Sequence, residues 1–324
     1  MRDKVRQAIA RTKPLKKLCF GKVSGMRSIF PISNTAAQIF NSWNFLNGGT
    51  KQKELQEKRQ ILIKTAEGYF KATPSCRIRN SKQGGNYMKI ALASARTVDR
   101  DIAHNLSQLE RYTKEAKAAG ADLVCFGEAF LQGFNALSWR YEIDKTIALT
   151  TSSAEFAHIQ SLTKKTGIDV LFGYNELEDN AIYSSCALIA DGKIAHNYRR
   201  ISRGWKEYAK TDEHYKEGSV VEVFDYKGKK CVVALCGDLW EYPERFAIGE
   251  DLLLWPVYVC WTKEEWESGG KIEYAQQAKL CCENTLYINS ICEGDAFGGA
   301  AQFLSGAIQK ELPIFREGLL YVEI

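Results

Sequence analysis

Six short apolar runs constrain this chain more than any other feature: "KIALAS", "ADLVCF", "IDVLFGYNE", "VVALC", "DLLLWP" and "LYINSIC", all after Met88. Each has strand length and is too apolar to face water, so each asks for burial in a sheet. Between them lie segments with a helical period. "RDIAHNLSQLERYTKEAKAAG" places Ile102, Leu106, Leu109 and Ala116 on one face, with Gly120 as a C-cap. "SSAEFAHIQSLTKKTG" does the same with Phe156, Ile159 and Leu162, a Ser cap before it and Gly167 after it. Asp191-Gly192 and Lys227-Gly228 mark two hairpins, because both positions of a type I′ turn need positive φ. A short helix is expected after Pro243 and a longer one ending near Asn284; "AAQFLSGAIQKEL" and "GLLYVEI" are expected as two closing strands. Strands alternating with helices, with hairpins inserted, predict a mixed α/β domain.

Charge divides the chain. Residues 1–87 carry 18 Lys/Arg against 4 Asp/Glu, and residues 88–324 carry 26 against 35. The first part lacks an apolar stripe and is expected as a basic, poorly ordered extension; the domain proper is expected over 88–324. The Gln83-Gly84-Gly85 tract just before Met88 can be encoded by a purine-rich ribosome-binding sequence, which raises Met88 as a natural start. The acidic balance of the larger part opposes nucleic-acid binding. No run approaches the ~18 apolar residues of a membrane span, and the ten cysteines show no CxxC pair and follow no secretory signal. A soluble protein of a reducing, cytoplasmic compartment is expected, without a structural metal. No Walker or dinucleotide-binding glycine motif appears, so no nucleotide cofactor is expected.

Two residues stand where apolar strands end. Glu128 follows "ADLVCFG", and a carboxylate there is costly to bury unless something uses it; a solvated loop acid is the alternative. Cys236 follows "VVAL", with Gly237 allowing a tight turn; an inert core thiol is the alternative. A thiol needs a base or cation beside it to act as a nucleophile near neutral pH, and Glu128 supplies one if the two strand ends adjoin.

"ADLVCFGEAFLQGF", "NYRRIS", "VVALCGDLWEYPE", "DLLLWP", "CCENTLYINS" and "GAIQKELP" occur in the order seen in carbon-nitrogen hydrolases of the nitrilase superfamily, which residues 88–324 resemble. The resemblance implies a four-layer α-β-β-α sandwich and a Glu-Lys-Cys site without cofactor or metal. Glu128 would be general base, Cys236 the nucleophile that becomes acylated, and Glu213 the auxiliary glutamate. The family's lysine follows a Tyr-Arg pair, where this chain has Tyr198-Arg199-Arg200. The cation beside the developing oxyanion is therefore expected from Lys206 in "RGWKEY", or from Arg200 as the alternative. Asp238 fits the Cys-x-Asp pattern, and the spacing on to Pro243-Glu244 is one residue longer than usual. Asp238, Phe134, Trp205 and Trp240 are candidates to line the substrate pocket, with Trp139 beside them; aromatic packing is the alternative. The implied activity is hydrolysis of a small amide or a nitrile-related substrate by a homodimer or larger homo-oligomer. Acyl transfer to an amine, and a binding or scaffold protein that has lost the lysine, are the alternatives.

Overall fold

The computed structural model describes residues 87–293 and 296–324. The expected extension over 1–87 lies, but for Tyr87, outside the described residues. The first sheet is built from β1 (Lys89–Ser94), β2 (Leu123–Cys125), β3 (Asp169–Glu178), β4 (Ala181–Ala190), β5 (Lys193–Arg199) and β12 (Gly318–Glu323). The second holds β6 (Phe224–Tyr226), β7 (Lys229–Val233), β8 (Leu252–Val257), β9 (Asn284–Asn289), β10 (Ala300–Leu304) and β11 (Ala307–Leu312). Their strand orders are β12-β1-β2-β3-β4-β5 and β11-β10-β9-β8-β7-β6, and the α-helices among the described residues are, in chain order, α1 (Ile102–Ala118), α2 (Tyr141–Asp144), α3 (Ala154–Thr166), α4 (Asp238–Glu241), α5 (Lys263–Glu265) and α6 (Lys271–Lys279). In each sheet three consecutive strands run parallel, β1-β2-β3 and β7-β8-β9, and antiparallel strands flank them.

Period-two alternation sorts the side chains into layers. On β1, Ile90 and Leu92 point into one core with Leu123, Leu171 and Leu188, where they meet Val233, Leu254 and Leu286 of the second sheet. Ala91 and Ala93 point the other way, onto Leu109 and Tyr112 of α1 (Ile102–Ala118) and Phe156 and Ile159 of α3 (Ala154–Thr166). The outer face of the second sheet packs Trp255 and Tyr287 against Trp266 and against Tyr274 of α6 (Lys271–Lys279). The fold is thus the four-layer α-β-β-α sandwich, with both sheets buried between helices.

Local signals act as their chemistry requires. The Ser153 hydroxyl accepts from the Phe156 amide at the start of α3, and Gly167 closes the helix in the left-handed region at φ 65°. Asp191-Gly192 and Lys227-Gly228 take positive φ at both turn positions. Two expectations give way. "AAQFLSGAIQKEL" is not one strand but the hairpin β10-β11, turning at Ser305 (φ 52°) and Gly306 (φ 80°). The segment around Pro243 holds two short pieces, α4 (Asp238–Glu241) and a 3-10 turn over Pro243–Arg245, and α6 ends at Lys279 rather than near Asn284.

Candidate active site

Glu128 and Cys236 hang from neighbouring residues of one strand. The chain leaves β2 and crosses to the second sheet, where the Glu128 amide donates to the Val257 carbonyl at the end of β8, 3.4 Å away. The Cys236 amide, just beyond β7, donates to the adjacent Pro256 carbonyl at 3.0 Å. Gly173 of β3 makes the crossing possible: a Cβ there would sit 2.6 Å from the Gly127 carbonyl oxygen and the Ala129 amide nitrogen.

Both junctions carry backbone strain. Cys236 itself adopts φ 41° and Ala129, next to Glu128, φ 48°. A non-glycine residue held there costs of order 1–3 kcal/mol, and such outliers cluster at functional sites. Gly237 serves differently from the sequence-based expectation of a tight turn. Its own backbone is ordinary, φ −67° and ψ −10°. Glycine is needed for room: a Cβ would stand 2.5 Å from Arg200 Nη2 and 3.2 Å from Ser202 Oγ.

Arg200 is the cation between the two. Its Nη1 donates to Glu128 Oε1 at 2.8 Å, its Nε to Ser202 Oγ at 2.7 Å, and its other amino group lies under the Cys236-Gly237 bend. Glu128 and Arg200 are both buried, so this ion pair is shielded from water. Burial works against the guanidinium charge, but Glu128, Cys236 and Asp238 outweigh it and hold Arg200 above its ordinary value. Burial pushes the Cys236 thiol up to about 12; Glu128 adds to the rise and Arg200 opposes it. The thiol is thus protonated near neutral pH, and it donates to the Tyr258 carbonyl at 3.4 Å.

Asp238 holds this assembly together. Its Oδ1 accepts from the amides of Ile201 (3.1 Å) and Ser202 (2.8 Å), and its Oδ2 from the Tyr198 hydroxyl (2.6 Å) and the Leu235 amide (2.8 Å). With both oxygens occupied and no exposure, it ties the segment after β5 to the bend at Cys236. Its expected contact with substrate is corrected to a positioning role.

The other anticipated residues divide. Phe134 stacks on Tyr258 with ring centroids 3.6 Å apart, which places it beside the residue whose carbonyl accepts the thiol's hydrogen bond. Trp240, on α4, packs edge-on against Tyr274 at 5.2 Å. Trp205 is buried with Trp139, Tyr215, Leu137 and Ile182, and is packing rather than pocket lining. Lys206 is engaged elsewhere: its ammonium meets the Tyr215 carbonyl and the Glu217 carboxylate, at 3.0 Å from Oε1. The preference for Lys206 as the cation is therefore set aside, because the charge that contacts Glu128 belongs to Arg200. Glu213 is exposed on the turn before Tyr215, which places its carboxylate in solvent.

Ser184 was not anticipated. Its hydroxyl donates to Glu128 Oε1 at 3.0 Å from β4. The paired serines of "AIYSSCALIA", polar residues inside an otherwise apolar strand, were the available signal.

Four thiols, Cys231 and Cys282 buried and Cys236 and Cys281 partly so, have a consequence for stability. Burial first raises Cys231, Cys236, Cys281 and Cys282 each to about 12. A thiol whose folded value exceeds its unfolded value of about 8.5 holds its proton more tightly when folded. The resulting stability is fully present below that pH and is lost as pH rises toward 12. Urea midpoints measured across this range should hold level near neutrality and then fall; a midpoint that stays constant to pH 11 contradicts the burial of these thiols.

The carbon-nitrogen hydrolase family profile matches residues 89–250, from β1 past the cysteine, and the chain belongs to that family. It is 28% identical over 169 residues to the N-carbamoylputrescine amidase of Arabidopsis thaliana, covering 49% of this chain and 55% of that protein. It is 27% identical over 165 residues to the glutamine-dependent NAD(+) synthetase of Thermotoga maritima, covering 49% of this chain and 27% of that protein. The chain therefore spans about half or less of the length of these curated relatives. Among solved structures, a cysteine-to-alanine mutant of the Nesterenkonia AN1 amidase, from the nitrilase superfamily, superposes with a TM-score of 0.61 at 19% identity. That match covers 75% of this chain and 92% of the amidase. At that identity the likeness is one of fold. No helix among the described residues is long and apolar enough to cross a membrane.

Proposed function

We propose that the protein hydrolyses a C–N bond of a small amide through an acylated Cys236, with Glu128 as general base and Arg200 as the fixed positive charge. The observation that carries this reading is the suspension of Glu128 and Cys236 from adjacent carbonyls of β8, with one guanidinium bonded to the first and lying under the second.

The chemistry follows from the thiol's high pKa. Attack requires that Cys236 lose its proton as the C–S bond forms, since little thiolate exists beforehand. Glu128 takes that proton. Negative charge then develops on the substrate oxygen, where Arg200 is worth more than it would be in water. The tetrahedral adduct collapses when Glu128 returns the proton to the leaving nitrogen, and the amine departs. Water attacks the thioester next, giving its proton to Glu128; the C–S bond breaks, the acid leaves, and the thiol is regenerated. With a pKa of about 12 or more, arginine keeps its charge near neutral pH and so takes no part in proton transfer.

Phe134 and Trp240 are the side chains we assign to the pocket wall. The names of the relatives suggest the first substrates to try: a carbamoylated amine and glutamine. A glutamate-to-glutamine mutant of the Nesterenkonia amidase has been captured with the acetamide moiety of fluoroacetamide added at its active-site cysteine. Fluoroacetamide is therefore a suitable covalent probe. Ammonia release from the panel, with intact-mass detection of an adduct confined to Cys236, is the expected result. Neither product nor Cys236 adduct across the panel overturns the hydrolase reading in favour of a binding protein. Transfer of the acyl group to added amines, with none to water, overturns it in favour of an acyltransferase.

A further inference from the structure

We propose that Glu128 works through one oxygen only: Ser184 and Arg200 pin Oε1, while Oε2 is the atom that carries the proton between Cys236, the leaving nitrogen and water. The assignment rests on the hydrolase reading above and adds Ser184 to it as a positioning residue.

The molecule contains its own comparison. Consecutive residues on β4, and at the end of β5 and just beyond it, point to opposite faces, so Ser184-Ser185 and Arg199-Arg200 build two Glu-Ser-Arg sets back to back. On the outer face Glu176 is fully used. Its Oε2 accepts from Ser185 Oγ at 2.6 Å and Arg199 Nε at 2.7 Å, and its Oε1 from Arg199 Nη2 at 2.9 Å and Asn197 Nδ2 at 3.0 Å. On the inner face Glu128 has the same kinds of partner but only on one side. Oε1 accepts from Ser184 at 3.0 Å and Arg200 at 2.8 Å, whereas buried Oε2 has no hydrogen-bond partner among the described residues.

A buried carboxylate oxygen without a partner is rare, because desolvation is then uncompensated. The outer set shows that this pair of strands can satisfy all of a glutamate's acceptor sites. Two donors on Oε1 also fix the plane of the Glu128 carboxylate, since rotation about its last bond would break both. The oxygen left over is thereby held in one direction. In each half-reaction one proton moves onto Oε2 and one moves off: from Cys236 sulfur to the leaving nitrogen in acylation, and from water to sulfur in deacylation. No co-reactant beyond water is needed.

The test is a set of variants assayed on whichever amide the wild-type protein cleaves. Ser184→Ala leaves Oε1 held by Arg200 alone and so loosens the carboxylate plane, and kcat should drop by at least about tenfold with KM within about twofold, as expected for a misplaced reacting group. Ser184→Thr keeps the hydroxyl and should restore most of kcat. Ser185→Ala removes the matching bond on the outer face and should lower the urea midpoint while leaving kcat within about twofold of wild type. Should Ser184→Ala not accumulate as folded protein, the isosteric Ser184→Cys, a weak donor, is read in its place. Equal kcat values for the Ser184 and Ser185 variants overturn the assignment, as does failure of Ser184→Thr to recover activity at a wild-type urea midpoint. The two levels separate cleanly. Turnover that survives Cys236→Ala removes the hydrolase reading itself, whereas an inactive Cys236→Ala beside a fully active Ser184→Ala removes only the role of Ser184.

Discussion

Cys236→Ala is expected to reduce amide turnover by about 10⁴-fold or more, the scale seen when a covalent nucleophile is deleted. The protein should stay folded, since the change removes one sulfur at a partly buried position. Substrate should still bind, because Glu128, Arg200 and the Phe134 wall are untouched. Binding is read by protection of the remaining thiols or by calorimetry with the cleaved amide, and turnover by ammonia release. Residual turnover within about tenfold of wild type would place the chemistry on another group. Alanine at 236 also keeps the φ 41° backbone, so relief of strain is not a confounding factor.

Arg200→Met should lower folding stability by about 3–5 kcal/mol, the cost of stranding one member of a buried ion pair. Glu128 would lose its 2.8 Å partner at a buried position, and Ser202 would lose its donor. Urea denaturation at neutral pH measures the loss. Part of it should be recovered by the double variant Arg200→Met with Glu128→Gln, since no unpaired charge then remains buried. If the single variant matches wild type, water must reach the pair. Arg200→Lys should fold and retain reduced turnover, because an ammonium can meet Glu128 but cannot also hold Ser202.

Much of the fold was legible because its signals are local. A Gly after a helix, a Ser before one, and Asp-Gly or Lys-Gly between apolar runs act within four residues of themselves. The hairpin at Ser305-Gly306 carries the same kind of signal, but the flanking residues form an unbroken run that masks it. The glutamate and the cysteine were also legible, each as a reactive group at the end of an apolar strand. Lys206 and Trp205 misled because "RGWKEY" combines an aromatic, a glycine and a cation in sequence. In space that segment folds onto Tyr215 and Glu217 instead.

The sequence by itself determined that Glu128 and Cys236 end buried strands, and that an Arg-Arg pair stands where the family carries Arg-Lys. Which arginine turns inward was decided only in three dimensions. On β5 the pairing with β4 slips by one residue between Leu188 and Ile189, so that Arg199 stands opposite Ser185 and the Arg200 amide bonds the Ser184 carbonyl. Without that extra residue Arg199 would stand opposite Ser184, on the face toward Glu128. A one-residue shift exchanges the two faces of a strand, and the choice between them is set by the core packing of Tyr198, Cys186 and Leu188, contacts made across the sandwich rather than along the chain.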